Sequence, residues 1–349
     1  MNEGTYSLVS KLNKIQIEFQ RLLRLFMKSD YVSADNILQT YQEMKEIKGR
    51  ISVVTEERKV KILHKFDCDK LCAKSDSYKV INLIKERASK LSEYIKMFVI
   101  QGSYATEDYV PGWSDLDTII VLKDYVFSSK EDLLKAREEL RKLSLLCYWI
   151  DPLAHHLFIF VTEFDISYYP QAMMPLPVYE NALHLMGDEE VIFNVRDDQN
   201  ERHAVLVKFR NHFQKKVETG NFSKDVSNWK NDVAIGMMVP SLLLQEEGIY
   251  VYKKYSFDDA KKRFRDIDFS PIDEATLIMR NWYVPNLVKI IPPRLLLVLP
   301  YYISSRAVSF VRRFSTHKKP REKPETVARI TKSFYELYAN MNDKYGKSI

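Results

Sequence analysis

No proline interrupts the first 110 residues, only three cysteines occur in 349, and no apolar run is long enough to cross a bilayer. Each absence excludes something. Without proline, nothing breaks a helix before Pro111, so a helical N-terminal third is expected. Cys68, Cys72 and Cys147 are too few for a disulfide framework and suit a reducing compartment. The most apolar stretch, Leu295 to Leu299, is bounded by Arg294 and Pro300 and is too short to span a membrane. Met1-Asn2-Glu3-Gly4 has neither the basic nor the apolar part of a secretory leader. These features together predict a cytoplasmic protein without a transmembrane segment. No internal repeat is present.

What is there is ordinary for a folded chain: 46% apolar residues, 29% charged and 12% aromatic, with 21 tyrosines. Long disordered stretches are therefore excluded. The net charge of +6 is only a mild basic excess. The length allows two or three domains, and three regions emerge. Residues 1–95 read as helices, because Leu8, Leu12, Ile15, Phe19, Leu22 and Phe26 form one stripe at helical spacing. Further helices are expected over about 33–47 and 78–97. Residues 96–197 change period. Phe98–Ile100, Thr118–Leu122, Leu145–Ile150 and Leu157–Val161 read as buried strands, with Glu163 and Asp165 continuing the last. Ser129 opens a helix over about 130–146, and residues 190–195 suggest an edge strand. Residues 198–349 return to helices, with a kink expected at Pro240 and helix starts at Ser256 and Ser270-Pro271. The fold class is α+β: a small mixed sheet flanked by N-terminal helices and a C-terminal helical domain.

Chemistry concentrates at two places, Gly102-Ser103 and Trp113-Ser114-Asp115-Leu116-Asp117. Residues i and i+2 of a strand share a face, so Asp115 and Asp117 can converge on one point. Two hard oxygen ligands beside a Gly-Ser turn suit a divalent metal that carries a polyphosphate.

An apolar residue, Gly-Ser, a loop and then acid–apolar–acid on the next strand resembles the DNA polymerase β-like nucleotidyltransferase superfamily. The resemblance covers roughly residues 97–170. The helical C-terminal region is similar in layout to that of antibiotic nucleotidyltransferases. The superfamily resemblance implies a Mg²⁺-dependent enzyme, with two ions, that moves a nucleoside monophosphate from ATP or another nucleoside triphosphate to an acceptor hydroxyl and releases pyrophosphate. The acceptor would be a small molecule, a protein or a nucleic acid. In this reading Gly102 lets backbone approach a phosphate, while Ser103 and Ser114 help hold the triphosphate. Asp115 and Asp117 would hold the metal. The superfamily also needs a third carboxylate on a neighbouring strand. The helix-to-strand order favours Asp151; Asp165, in Phe164-Asp165-Ile166, is the alternative. The different class to weigh is a non-catalytic module that binds nucleotide or nucleic acid on a degenerate form of the fold.

Several other residues have two readings. His155 and His156 either contact phosphate or acceptor, or simply belong to a turn. Lys253 and Lys254 could reach a triphosphate, but a solvated basic turn weighs more. Tyr104, Tyr109 and Trp113 could stack on a base, though packing of the loop is commoner. His64, Cys68 and Cys72 are spaced to share a helix face, which makes a poor metal site. Arg306, Arg312, Arg313, Lys318, Lys319, Arg321 and Lys323 form a basic stretch over 306–323, read as a solvated loop or a weak polyanion contact.

Overall fold

The structure, a computed structural model, describes residues 3–51, 55–172, 174–316 and 318–345. The N-terminal helices α1 (Glu3–Lys28) and α2 (Ala34–Gly49) form where the spacing places them. Leu12, Phe19, Leu23 and Phe26 of α1 are fully buried, and Ser33 caps α2 by accepting the Asn36 N–H.

The rest of this region is not all helix. It contains β1 (Glu56–Lys61) and β2 (His64–Lys65) before the short α3 (Cys68–Leu71) and α4 (Asp76–Ala88). Only Val60 is apolar in β1, so no alternation announces it; pairing with residues 190–195 makes it a strand. His64 lies on β2 and not on the helix with Cys68, so the three spaced residues share no common face. The helix expected to reach residue 97 ends at Ala88, and Ile95 already begins the next strand.

That strand, β3 (Ile95–Gln101), pairs antiparallel with β4 (Asp117–Leu122), and Gln101 stands opposite Asp117. Next comes α5 (Lys130–Ile150), capped by Ser129, then β5 (Phe158–Thr162), parallel to β4. The expected strand over 145–150 is instead the last turns of α5. Leu145, Leu146, Cys147 and Trp149 are all buried there because the helix end is covered on several sides, which erases the one-sided pattern that marks a helix. Glu163 and Asp165 do not extend β5 but turn into α6 (Glu163–Ile166).

After α6 come β6 (Tyr169–Pro170), α7 (Pro177–Glu180), β7 (Leu183–Gly187) and β8 (Glu190–Arg196). Two mixed sheets result, ordered β2-β7-β3-β4-β5 and β1-β8-β6, so β8 is a central strand and not an edge. One face of the larger sheet, with Phe98, Ile120 and Phe158, packs against the N-terminal helices and α5. Its other face, with Val99, Ile119 and Val121, meets Val60, Val191 and Phe193 of the smaller sheet.

The C-terminal region is helical: α8 (Gln199–Thr219), α9 (Val226–Gly236), α10 (Val239–Glu246), α11 (Lys253–Arg263), α12 (Ser270–Arg280), α13 (Pro293–Val298), α14 (Tyr301–Thr316) and α15 (Pro324–Tyr345). Pro240 falls in the first turn of α10, and the chain breaks between α9 and α10 as expected. Ser256 does not start a helix; α11 begins three residues earlier, and the Ser256 hydroxyl donates back to the Lys253 carbonyl. Arg306, Arg312 and Arg313 lie on α14 and not on a loop.

Asp165 is committed to this architecture. Its carboxylate accepts from Gln16 (2.7 Å) and Gln20 (2.5 Å) of α1 and from the Thr162 hydroxyl (2.7 Å) and backbone N–H (2.8 Å). It thus closes a capping box on α6 and fastens α1 to the end of β5. Asp165→Ala should leave these donors buried without a partner and cost about 2–4 kcal/mol. Chemical denaturation would read that loss; an unchanged midpoint would refute the role.

Candidate active site

The site forms where β3 ends and β4 begins. At the end of β3 the chain enters a short 3-10 turn, Gly102–Tyr104, with Gly102 at φ +72°. The strand pairing brings Gly102 against Asp117 so closely that a Cβ there would lie 2.9 Å from Asp117 Oδ2. Glycine is required twice over, by the positive φ and by the carboxylate. Gly102→Ala should cost about 1–2 kcal/mol in backbone strain and displace Asp117. An activity loss on the order of a hundredfold is expected. Thermal melting and steady-state rates separate the two effects, and an alanine variant with wild-type rates would contradict the close approach.

The half-buried Ser103 hydroxyl has no hydrogen-bond partner among the described residues, so it is open to a ligand. Ser114 is differently placed. It is buried, and its hydroxyl accepts the Val110 N–H at 2.9 Å, closing the turn before the acids. Trp113 and Leu153 anchor the two loops that flank the site in the apolar core of the C-terminal helices. Trp113 packs edge-on against Trp282, and Tyr104 stacks on Tyr109 at 4.6 Å. These aromatics pack the loop.

Asp115 and Asp117 are half-buried and feel each other's charge. Burial first, and then the Asp115 charge, push Asp117 well above the usual carboxylate range, against Lys253 and Lys230. Burial opposes ionisation of Asp115 too, but Lys230, His155 and His156 hold it below that range. The pair therefore shares a field that favours one negative charge over two.

Asp151 caps the C-terminus of α5, fully buried, and not the end of a strand. One oxygen accepts the Leu153 N–H at 3.0 Å and the other accepts Lys230 Nζ at 2.6 Å. Burial raises its pKa, with Lys230 opposing. The β5 strand, Phe158-Ile159-Phe160-Val161-Thr162, carries no acid at all. Among the described residues, no three His, Cys, Asp or Glu side chains gather closely enough to hold a metal.

Lys230 escapes a reading of the sequence. It lies on α9 and is 4% exposed, with Nζ 5.8 Å from the Trp113 ring centre. Although burial disfavours its charge, Asp151 and then Asp115 raise its pKa. Its one signal in the sequence is a lysine directly after Trp229, on a helix whose Trp229 and Val233 are fully buried. Tyr252 has no signal in the sequence. Burial and then Asp117 push its phenol up to about 12, while the Gly102 backbone N–H pulls it down.

The remaining candidates divide. Lys253 opens α11 near both acids; burial lowers its pKa, and Asp117 and Asp115 oppose that. Lys254 points to the rim and pairs with Asp108 at 3.1 Å. His155 Nδ1 lies 3.7 Å from Asp115 Oδ2, and the adjacent His156 ring is 3.8 Å from it, centre to centre. Both rings are exposed at the mouth of the site.

A mixed sheet that presents a Gly-Ser turn and an acid pair at adjacent strand ends, faced by lysines from flanking helices, is an arrangement for anionic phosphate chemistry. Consistent with that class, residues 81–170 match the family model described as a nucleotidyltransferase domain, which supports nucleotidyl transfer as the general activity. No curated protein matches the chain significantly. No helix among the described residues is long and apolar enough to cross a membrane.

Proposed function

We propose that the chain transfers a nucleoside monophosphate from a nucleoside triphosphate to an acceptor hydroxyl, with Asp115 and Asp117 as the metal-binding pair. One observation carries the reading: Asp117 is held against Gly102, and burial together with the neighbouring Asp115 charge pushes it well above the usual carboxylate range. Such a pair is short of positive charge, and a dication would relieve it. The donor set fits a Mg²⁺ that arrives with the triphosphate, because this ion commonly takes one or two carboxylates and fills its shell with phosphate oxygens and water. When bound, it would neutralise charge building up on the leaving pyrophosphate.

The chain's own groups do the rest. The Gly102-Ser103 backbone offers close approach, and the Ser103 hydroxyl can donate to a phosphate oxygen. Lys253, whose ammonium is destabilised by burial, gains from a nearby anion, which makes it a triphosphate ligand. Lys230 is held by Asp151 at the inner wall of the site and presents its charge to the same place. His155 stands at the mouth, beside Asp115, where an acceptor would enter. Lys254 and Ser114 serve the frame of the site in this reading.

A second reading has one observation behind it. Because Asp151 is tied to Lys230, the acid cluster holds two free carboxylates where the superfamily uses three. A module that binds a triphosphate without turning it over would look like this. Pyrophosphate release with labelled triphosphates, Mg²⁺ and a panel of hydroxyl acceptors decides between the two. Release that depends on Asp115 and Asp117 supports transfer; tight triphosphate binding with no release against any acceptor supports the binding module.

A further inference from the structure

The outer surface of α13 and α14 is built the wrong way round for a water-facing surface. Successive helical residues turn by about 100°, so Tyr302, Ile303, Arg306, Phe310, Arg313 and Phe314 fall within about 120° of arc on α14. All six are exposed, Phe310 by 63% and Phe314 by 56%. The opposite face buries Ser304, Val308 and Ser315. The side turned to water is therefore the more apolar one. α13 and the turn before it add Ile290 (72% exposed), Leu295 and Val298 (73%). Of the eighteen large apolar side chains exposed among the described residues, nine lie between Tyr283 and Phe314. That concentration marks a contact surface, since scattered exposed residues would be ordinary.

Charge says what it contacts. From Asn281 to Arg321 the chain has no Asp or Glu and eight Lys or Arg. We propose that this face docks on the surface of an anionic lipid bilayer, with α13 and α14 lying in its plane. Aromatic and aliphatic side chains would enter the acyl boundary while the surrounding cations meet lipid phosphates. The helices would lie on the membrane, since no described helix can span one. Single-stranded nucleic acid fits less well. Tyr302, Phe310 and Phe314 could stack on bases, but Ile290, Leu295, Val298 and Ile303 offer a base neither a ring nor a hydrogen bond. A second copy of the chain fits worst, because it would set cations against cations with no acid to pair them.

The inner side of α14 reaches the surroundings of the site, where Arg312 donates to the carbonyl of Pro152 at 2.7 Å, next to Asp151, but none of the outward-facing residues has a role in the transferase reading. The proposal thus does not depend on the transferase reading.

Flotation of the full-length protein with phosphatidylcholine vesicles, with and without about 30% phosphatidylglycerol, tests it. Binding is expected to the anionic vesicles, to weaken as salt is raised, and to be slight with phosphatidylcholine alone. Phe310→Ser with Phe314→Ser should lower the partition coefficient at least about tenfold, and Arg306→Gln about fivefold. Both changes are on exposed residues, so circular dichroism and melting should stay as in the wild type. Absence of binding to anionic vesicles overturns the proposal, as does binding that the double variant leaves intact. So does a single-stranded RNA that binds and loses affinity in that variant while vesicles do not bind. A dimer in sedimentation that the double variant splits, with no vesicle binding by either form, also overturns it.

Discussion

Asp117→Asn is expected to remove nucleotidyl transfer, by on the order of a thousandfold or more, and yet leave the fold at least as stable as before. The activity loss follows from losing one of the two carboxylates proposed to hold the metal, since charge neutralisation of this kind contributes several kcal/mol to the transition state. The stability expectation has a separate origin. Burial and Asp115 raise the Asp117 pKa on folding. A carboxyl whose pKa is raised on folding stabilises the folded state while it stays protonated; that contribution is complete below the unfolded value of 3.8 and is lost as pH rises from there through the folded pKa. Asparagine resembles the protonated acid in shape and in lacking charge, so it removes the cost at neutral pH. Melting without metal at pH 7 should be unchanged or higher, and Mg²⁺ should stabilise the wild type more than the variant. A variant that retains its rate would remove Asp117 from the mechanism; one that melts well below the wild type would make Asp117 a structural residue.

The second large effect is expected at Lys230. Lys230→Met leaves Asp151, with no exposed surface, as a buried carboxylate without its partner. Breaking one side of such a pair costs about 3–5 kcal/mol. Replacing both sides, Lys230→Met with Asp151→Leu, should recover most of that loss, because an apolar pair of similar volume is often no worse than a buried ion pair. Denaturation of the two variants measures the structural part. The catalytic part is what the double variant fails to recover: if Lys230 holds the triphosphate, activity stays low although the fold returns. Recovery of stability and activity together would make the pair a packing device only. Failure of the double variant to recover stability would show that the bond from the Leu153 N–H to Asp151, which leucine cannot replace, carries the structural role.

Some of this site was legible early because it is local. Asp115 and Asp117 are two residues apart, and Gln101 faces Asp117 across adjacent antiparallel strands joined by one loop, which sets Gly102 beside that acid. Turn chemistry and strand pairing bring Gly102 to Asp117, but Asp115 lies in the loop just before β4 and not on the strand, so strand period does not place it. The helix start at Ser270-Pro271, the break at Pro240 and the cap at Ser129 are equally local, and they appear where patterning puts them. Patterning fails where an element has too little or too much apolar surface. The β1 strand has a single apolar residue and exists through its pairing, while the end of α5 is covered on so many sides that its helical stripe disappears.

The sequence alone, then, determined an α+β chain with a Gly-Ser turn and an acid pair at neighbouring strand ends, because each of those features depends on residues close along the chain. Only the tertiary structure decided what stands around them. It gave Asp165 to the α1–β5 junction and put Asp151 at the end of a helix. It also brought Lys230 to Asp151 across 79 positions. Those placements arise where separately formed helices pack against the sheet and one another, and contacts of that kind have no period for a sequence to display.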